Sequence, residues 1–128
     1  MGALLGESAP VVLKSYYRVL TAGIDAFGDG SALRALVSNH LDFTGSLAGH
    51  RPDATEGFLR GVRGFIGTVR DIDVVREVHD ARGSAVLYDA SMPGGVVRLS
   101  EFFTFSDGTI ATLDLSYDGQ DYLSKGGL

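Results

Sequence analysis

The chain is 128 residues long, room for one domain, because two units of half that length would each be too small for an independent core. Apolar residues at 45% and charged residues at 21% are ordinary globular proportions and argue against disorder. Eleven Lys and Arg against sixteen Asp and Glu give a net charge of -5, which repels phosphate and disfavours nucleic acid and anionic membrane as partners. The lack of cysteine rules out disulfides, thiolate nucleophiles and Cys-ligated metals, and suits a cytoplasmic protein.

No apolar run approaches the roughly eighteen residues of a membrane helix. Gly6 and Glu7 interrupt the apolar start Met1 to Leu5 before it could serve as a signal segment. Met1 to Glu7 and Ser124 to Leu128 read as flexible ends around a single domain with its core at about 9–120.

Ser8 and Pro10 open a helix predicted over 9–27. Its apolar face carries Val12, Leu13, Tyr16, Tyr17, Leu20, Ile24 and Phe27 at helical spacing, and Gly28-Asp29-Gly30 ends it. Ser31 caps a short second helix with Leu33, Leu36 and Val37, after which His40 to Thr44 loses the helical period and reads as a short strand. Asp53 or Thr55 opens a third helix whose stripe is Phe58, Leu59, Val62, Phe65, Ile66 and Val69. Gly57, Gly61 and Gly64 gather on its other side, interleaved with Arg60 and Arg63, which reads as close backbone approach and not as a membrane dimer motif.

Beyond Asp71 the pattern becomes four strands, 72–81, 84–92, 96–106 and 109–117. They are separated by Arg82-Gly83, Pro93-Gly94-Gly95 and Ser106-Asp107-Gly108, whose hairpin chemistry predicts antiparallel pairing of neighbours. Three helices before a curled, mainly antiparallel meander make an α+β domain.

The stretch Glu101-Phe-Phe-Thr-Phe-Ser-Asp-Gly-Thr-Ile110 carries an acid, an aromatic pair, a polar residue, a phenylalanine and an Asp-Gly turn before the last strand. With the Gly28-Asp29 step and Gly49-His50-Arg51 before the third helix, it resembles the nuclear transport factor two-like superfamily, which includes ketosteroid isomerases and SnoaL-like cyclases. The resemblance covers nearly the whole chain. It implies a conical α+β barrel with three N-terminal helices packed on a curved sheet, a deep apolar pocket and a homodimer, and it leaves the chemistry open.

Glu101 shares a strand face with Val97, Leu99, Phe103 and Phe105, the one acid on an apolar face, where desolvation should raise its pKa. The resemblance implies the place of the protonated acid that ketosteroid isomerases use in an oxyanion hole. It also sets Tyr17, more than Tyr16, near the place of their substrate-polarising tyrosine, and Tyr88 is expected opposite Glu101 if the hairpin turns at Gly94-Gly95. The isomerase base would align near Thr44 or Gly45, neither of which can take a proton, so Asp42 is the candidate substitute. The cyclases' His and Asp align with Leu113 and Leu115, which are expected to line the pocket with Leu99 and Phe103, while Asp114 and Arg98 should face away. His40, His50 and His79 show no compact ligand spacing, so no metal is expected; His79 is a possible proton carrier but reads better as a hydrogen-bonded surface residue. There is no nucleotide-binding glycine pattern and no cofactor is expected.

Two readings follow. One is a cofactor-independent acid–base enzyme, of isomerase, cyclase or dehydratase/hydratase type, acting on a small apolar cyclic or carbonyl-bearing metabolite through Glu101, Tyr17, Tyr88 and Asp42. The other is a non-catalytic ligand-binding module or protein-interaction subunit of the same fold.

Overall fold

A computed structural model describes residues 4–128. Three short helical segments come first: α1 (Val11–Thr21), α2 (Ile24–Phe27) and α3 (Ser31–Arg34). The helix predicted over 9–27 is broken because Gly23 takes φ +93, a left-handed conformation that stops α1 and redirects the chain. At α3 the cap is Gly30, and the Asp29 carboxylate, not the Ser31 hydroxyl, accepts the first free N–H, that of Ser31 at 3.0 Å. Val37 belongs to the next strand and not to this helix.

Strand β1 (Val37–Gly45) is longer than expected and pairs with β2 (Gly49–Arg51), which sequence patterning did not separate from the loop. Helix α4 (Thr55–Thr68) follows. Thr55 does not cap it; its hydroxyl donates to Ser38 O at 2.8 Å and accepts the Leu41 N–H at 3.1 Å, which ties the start of α4 to β1. The long strands are β3 (Asp71–His79), β4 (Ser84–Met92), β5 (Gly95–Ser106) and β6 (Thr109–Ser116), close to their predicted spans.

The six strands form one curved, unclosed sheet in the order β2-β1-β6-β5-β4-β3, antiparallel except for the β1–β6 pair. Register shifts in β3 at Val74/Arg76 and in β5 at Thr104/Phe105 add local bending. α1 and α4 cover the inner face, where Leu13, Leu20, Leu33 and Leu41 are each at most 2% exposed. Burial of such side chains stabilises by about 1.5–3 kcal/mol apiece.

The C-terminal end is not the flexible tail that was expected. Helix α5 (Gly119–Ser124) is capped by Asp118, whose carboxylate accepts the Asp121 N–H at 3.0 Å. Lys125 then clasps the β4–β5 turn, its ammonium donating to Val96 O at 2.7 Å and its carbonyl accepting the Gly94 N–H at 2.9 Å. At the other end Leu5 is buried and the Gly6 N–H donates to Glu77 at 2.8 Å; the first three residues of the segment predicted as flexible lie outside the described residues. Among the described residues no helix is long and apolar enough to cross a membrane.

Candidate functional site

Strand alternation places the site. Along β5, Val97, Leu99, Glu101 and Phe103 turn inward and are buried, while Val96, Arg98 and Phe102 stay exposed. Glu101 is 1% exposed. Two consecutive residues of α1 reach it from above: Tyr17 donates to one carboxylate oxygen at 2.6 Å and Tyr16 to the other at 3.0 Å. Tyr88 on β4 faces the same carboxylate and also favours its charged form, although only Tyr16 and Tyr17 meet hydrogen-bond geometry. The rings lock one another edge to face, Tyr16 to Tyr17 at 5.1 Å and Tyr17 to Tyr88 at 5.8 Å, so the hydroxyls are held in place around the acid.

Burial raises the Glu101 pKa from 4.5 to about 7, with the hydroxyls of Tyr17, Tyr16 and Tyr88 pulling the other way. The acid is therefore divided between its two forms near neutrality. Protonated, it donates a hydrogen bond; ionised, it accepts a proton. The three tyrosines are held well above their ordinary pKa by burial and then by the neighbouring carboxylate, so they remain hydrogen-bond donors.

Glu101 opens onto a cavity of about 770 Å³ between the sheet and α4. Tyr16, Tyr88, Leu99 and Leu115 line it near the acid, Phe43, Phe58 and Phe65 line its apolar wall, and Arg51 and Arg60 bring positive charge to it. Phe103 and Leu113, expected in the lining, are packed in the core beside it instead, each at most 2% exposed. Tyr17, the tyrosine favoured from the sequence, contributes its hydroxyl to Glu101 but no surface to this cavity; Tyr16 does both.

Asp42 is not brought to the site. Inward positions on β1 are taken by Leu41, fully buried, and Phe43, at the cavity wall, so Asp42 points to the outer face, where it pairs with His50 at 2.9 Å. Tyr88 is not opposite Glu101 either. The hairpin turns at Pro93-Gly94, with Met92 opposite Gly95, which pairs Val86 with Glu101 and Tyr88 with Leu99. A shift of two residues preserves the face, so Tyr88 still points inward, diagonal to the acid.

His79 was expected as a surface residue, yet its side chain is 4% exposed, bonded to Ser84 Oγ at 2.7 Å and Glu77 at 2.8 Å, and it is not part of the cavity lining. Asp114 and Arg98 do face away, Arg98 making a two-pronged pair with Asp89 at 2.8 and 3.0 Å. The glycines of α4 were misread in part. Only Gly64 faces another segment closely, since a Cβ added there would lie 3.3 Å from the Leu128 carbonyl oxygen, while Gly57 and Gly61 line the cavity, and a Cβ added at Gly61 would meet nothing within 4 Å. The contributions of α4 and of Tyr117 and Tyr122 were missed; the one available signal was that small residues on an otherwise amphipathic helix leave space.

The architecture has clear relatives among solved structures. A protein from Kribbella flavida superposes with a TM-score of 0.77 over 94% of each chain at 19% identity. An NTF2-like protein of unknown function from Cytophaga hutchinsonii gives 0.64 at 14% identity, covering 92% of this chain and 99% of that one. The chain has the nuclear transport factor two-like fold. A steroid delta-isomerase from Pseudomonas aeruginosa also shares this fold, with a TM-score of 0.67 at 17% identity over 89% of this chain and 82% of its own. No family profile matches the sequence, and neither does any curated protein. Within the nuclear transport factor two-like fold, the Glu101 cluster lies on the concave side of the cone, between the sheet and its covering helices.

Proposed function

We propose that the chain is a cofactor-independent acid–base enzyme that moves a proton on a small, apolar, carbonyl-bearing cyclic compound. One observation carries this reading: a carboxyl poised near neutrality, held by two tyrosine hydroxyls and opening onto an apolar cavity. The presence of isomerases among the structural neighbours is consistent with it.

In the proposed reaction, ionised Glu101 takes a proton from the carbon beside the carbonyl, breaking that C–H bond and leaving an enolate. As Glu101 takes up the proton it no longer needs the Tyr16 hydroxyl, which then turns with that of Tyr88, in the same cavity lining, to donate toward the developing oxyanion. Protonated Glu101 then returns the proton to a carbon further along the conjugated system, giving the isomer and regenerating the carboxylate. A single acid serves both halves, so the outward position of Asp42 removes no step. Because burial brings the Glu101 pKa to about 7, near neutral pH the group is available as the base for the first transfer and, once protonated, as the acid for the second.

The test is hydrogen exchange. The wild type is incubated with a panel of cyclic β,γ-unsaturated ketones in deuterated buffer, and loss of the α-proton signal is followed by NMR. Exchange or isomerisation that disappears in Glu101→Gln supports the proposal; rates equal to buffer across the panel, or unchanged in the variant, overturn it.

A second reading, a ligand-binding module, is favoured by Leu113 and Leu115 standing where cyclases carry their catalytic pair and by the other acid of the cavity lining, Asp53, being exposed and paired with His40. It predicts line broadening of bound ketones without exchange. We also propose a cytoplasmic homodimer joined through the outer sheet face, where Phe102, Val96 and Val78 are 57%, 52% and 65% exposed. Sedimentation velocity of the wild type and of Phe102→Lys checks it: a dimer that the substitution dissociates is expected, and a wild-type monomer sinks the idea.

A further inference from the structure

A second cavity, of about 460 Å³, lies between α1, the end of α4 and the start of β3, and shares only Leu20 with the first. Its floor is apolar and well packed: Leu5, Leu20, Ile66 and Ile72 are each at most 4% exposed. Its rim is cationic, with Lys14, Arg18 and Arg70 against the single acid Asp71. This reverses the balance of a chain whose net charge is -5.

The two arginines are also unspent. Among the described residues Arg34, Arg98 and Lys125 each pair with a carboxylate, whereas neither Arg18 nor Arg70 has a carboxylate within salt-bridge distance. A guanidinium presents a planar fork that matches a carboxylate, and here two such forks border a dry apolar floor. We propose that this cavity is a binding site for a small apolar monocarboxylate, its tail on Leu5, Ile66 and Ile72 and its head group at Arg18 and Arg70. A free phosphate would leave the floor unused, and a neutral lipid would leave the arginines without a partner. Asp71 on the rim disfavours a dianion. The site is also not isolated, since Tyr17 forms part of its wall and donates its hydroxyl to Glu101.

This inference is independent of the proposed proton-transfer chemistry, because its test reads binding and not turnover. The ¹⁵N-labelled chain is titrated with octanoate and, in parallel, with 1-octanol and with inorganic phosphate, while amide shifts are followed by NMR. Octanoate is expected to give saturable shifts at Thr21, Gly23 and Ile72. Octanol and phosphate are expected to bind more weakly by about tenfold or more. Arg18→Gln combined with Arg70→Gln should weaken octanoate by a similar factor and leave shifts elsewhere unchanged, since both residues are exposed. Four results overturn the proposal: no saturable shift at those amides, shifts confined to the Phe65 and Tyr122 side, octanol or phosphate binding as tightly as octanoate, or a double variant that binds octanoate like the wild type.

Discussion

Glu101 and Asp42 are both carboxylates on strands of one sheet, separated by a single intervening strand, and they stand in opposite surroundings. Glu101 faces inward, is 1% exposed and meets two phenol hydroxyls; Asp42 faces outward, is about half exposed and meets a histidine that is itself in water. Burial raises the pKa of the first to about 7. The second stands half in water, and an exposed contact of this kind contributes little to stability. What separates the two is strand parity. A side chain one position along a strand crosses from a dry cavity to solvent, and its proton chemistry changes with it.

The widest gap between the two acids should be in turnover. Glu101→Gln is expected to abolish proton exchange on any ketone the wild type processes, with the fold retained, because the amide keeps the shape but cannot carry the proton; NMR exchange rates and circular dichroism check both halves.

Stability against pH comes next. The folded chain holds a proton on Glu101 that the unfolded chain has released between pH 4.5 and about 7, so this acid's contribution is complete below about 4.5 and is lost as pH rises through about 7. The loss is on the order of 3 kcal/mol. Urea midpoints at pH 5 and pH 8 should therefore fall more in the wild type than in Glu101→Gln; parallel profiles would mean that the acid is already solvated.

Tyr17→Phe should cost about 1.5–3 kcal/mol at pH 8, where the hydroxyl serves a charged acceptor, and less at pH 5. It should also push the Glu101 pKa further up, because that hydrogen bond now holds it down. Tyr16→Phe, which removes the longer bond, should do less on both counts. Carboxyl-carbon NMR titration of each variant reads the shift directly.

The smallest effect is expected from Asp42→Asn, which should leave both the exchange rate and the Glu101 titration as they were. A clear loss of exchange would return Asp42 to the reaction and break the contrast.

Much of the candidate site is legible in the sequence, and the part that is not has a physical pattern. Glu101 stood out because alternation along β5 is local and the acid interrupts an apolar face. Tyr16 and Tyr17 were both visible on the helical stripe, but their order of importance was not, since it depends on the angle at which α1 crosses the sheet. That angle sends both hydroxyls to one carboxylate and leaves Tyr16 alone facing the larger cavity. Asp42 was misplaced because the short predicted strand, His40 to Thr44, does not say by itself which of its faces is covered; Leu41 and Phe43 decide it only once α4 is seen to pack against that side. The tail from Ser124 was read as loose because Lys125 acts through a distant turn, which no local pattern announces.

By itself the sequence determined the order of elements, the places where the chain turns and the acid that sits on an apolar strand face. These follow from periodicities of two and 3.6 and from glycines that permit particular turns, all of which act over a few residues. Only the tertiary structure decided which hydroxyls meet Glu101, that Asp42 looks outward, and that α1 and α4 each contribute to two cavities of different character. Those depend on how a helix docks across a curved sheet, and contacts between residues some 85 positions apart are set by packing of the whole core and not by any segment within it.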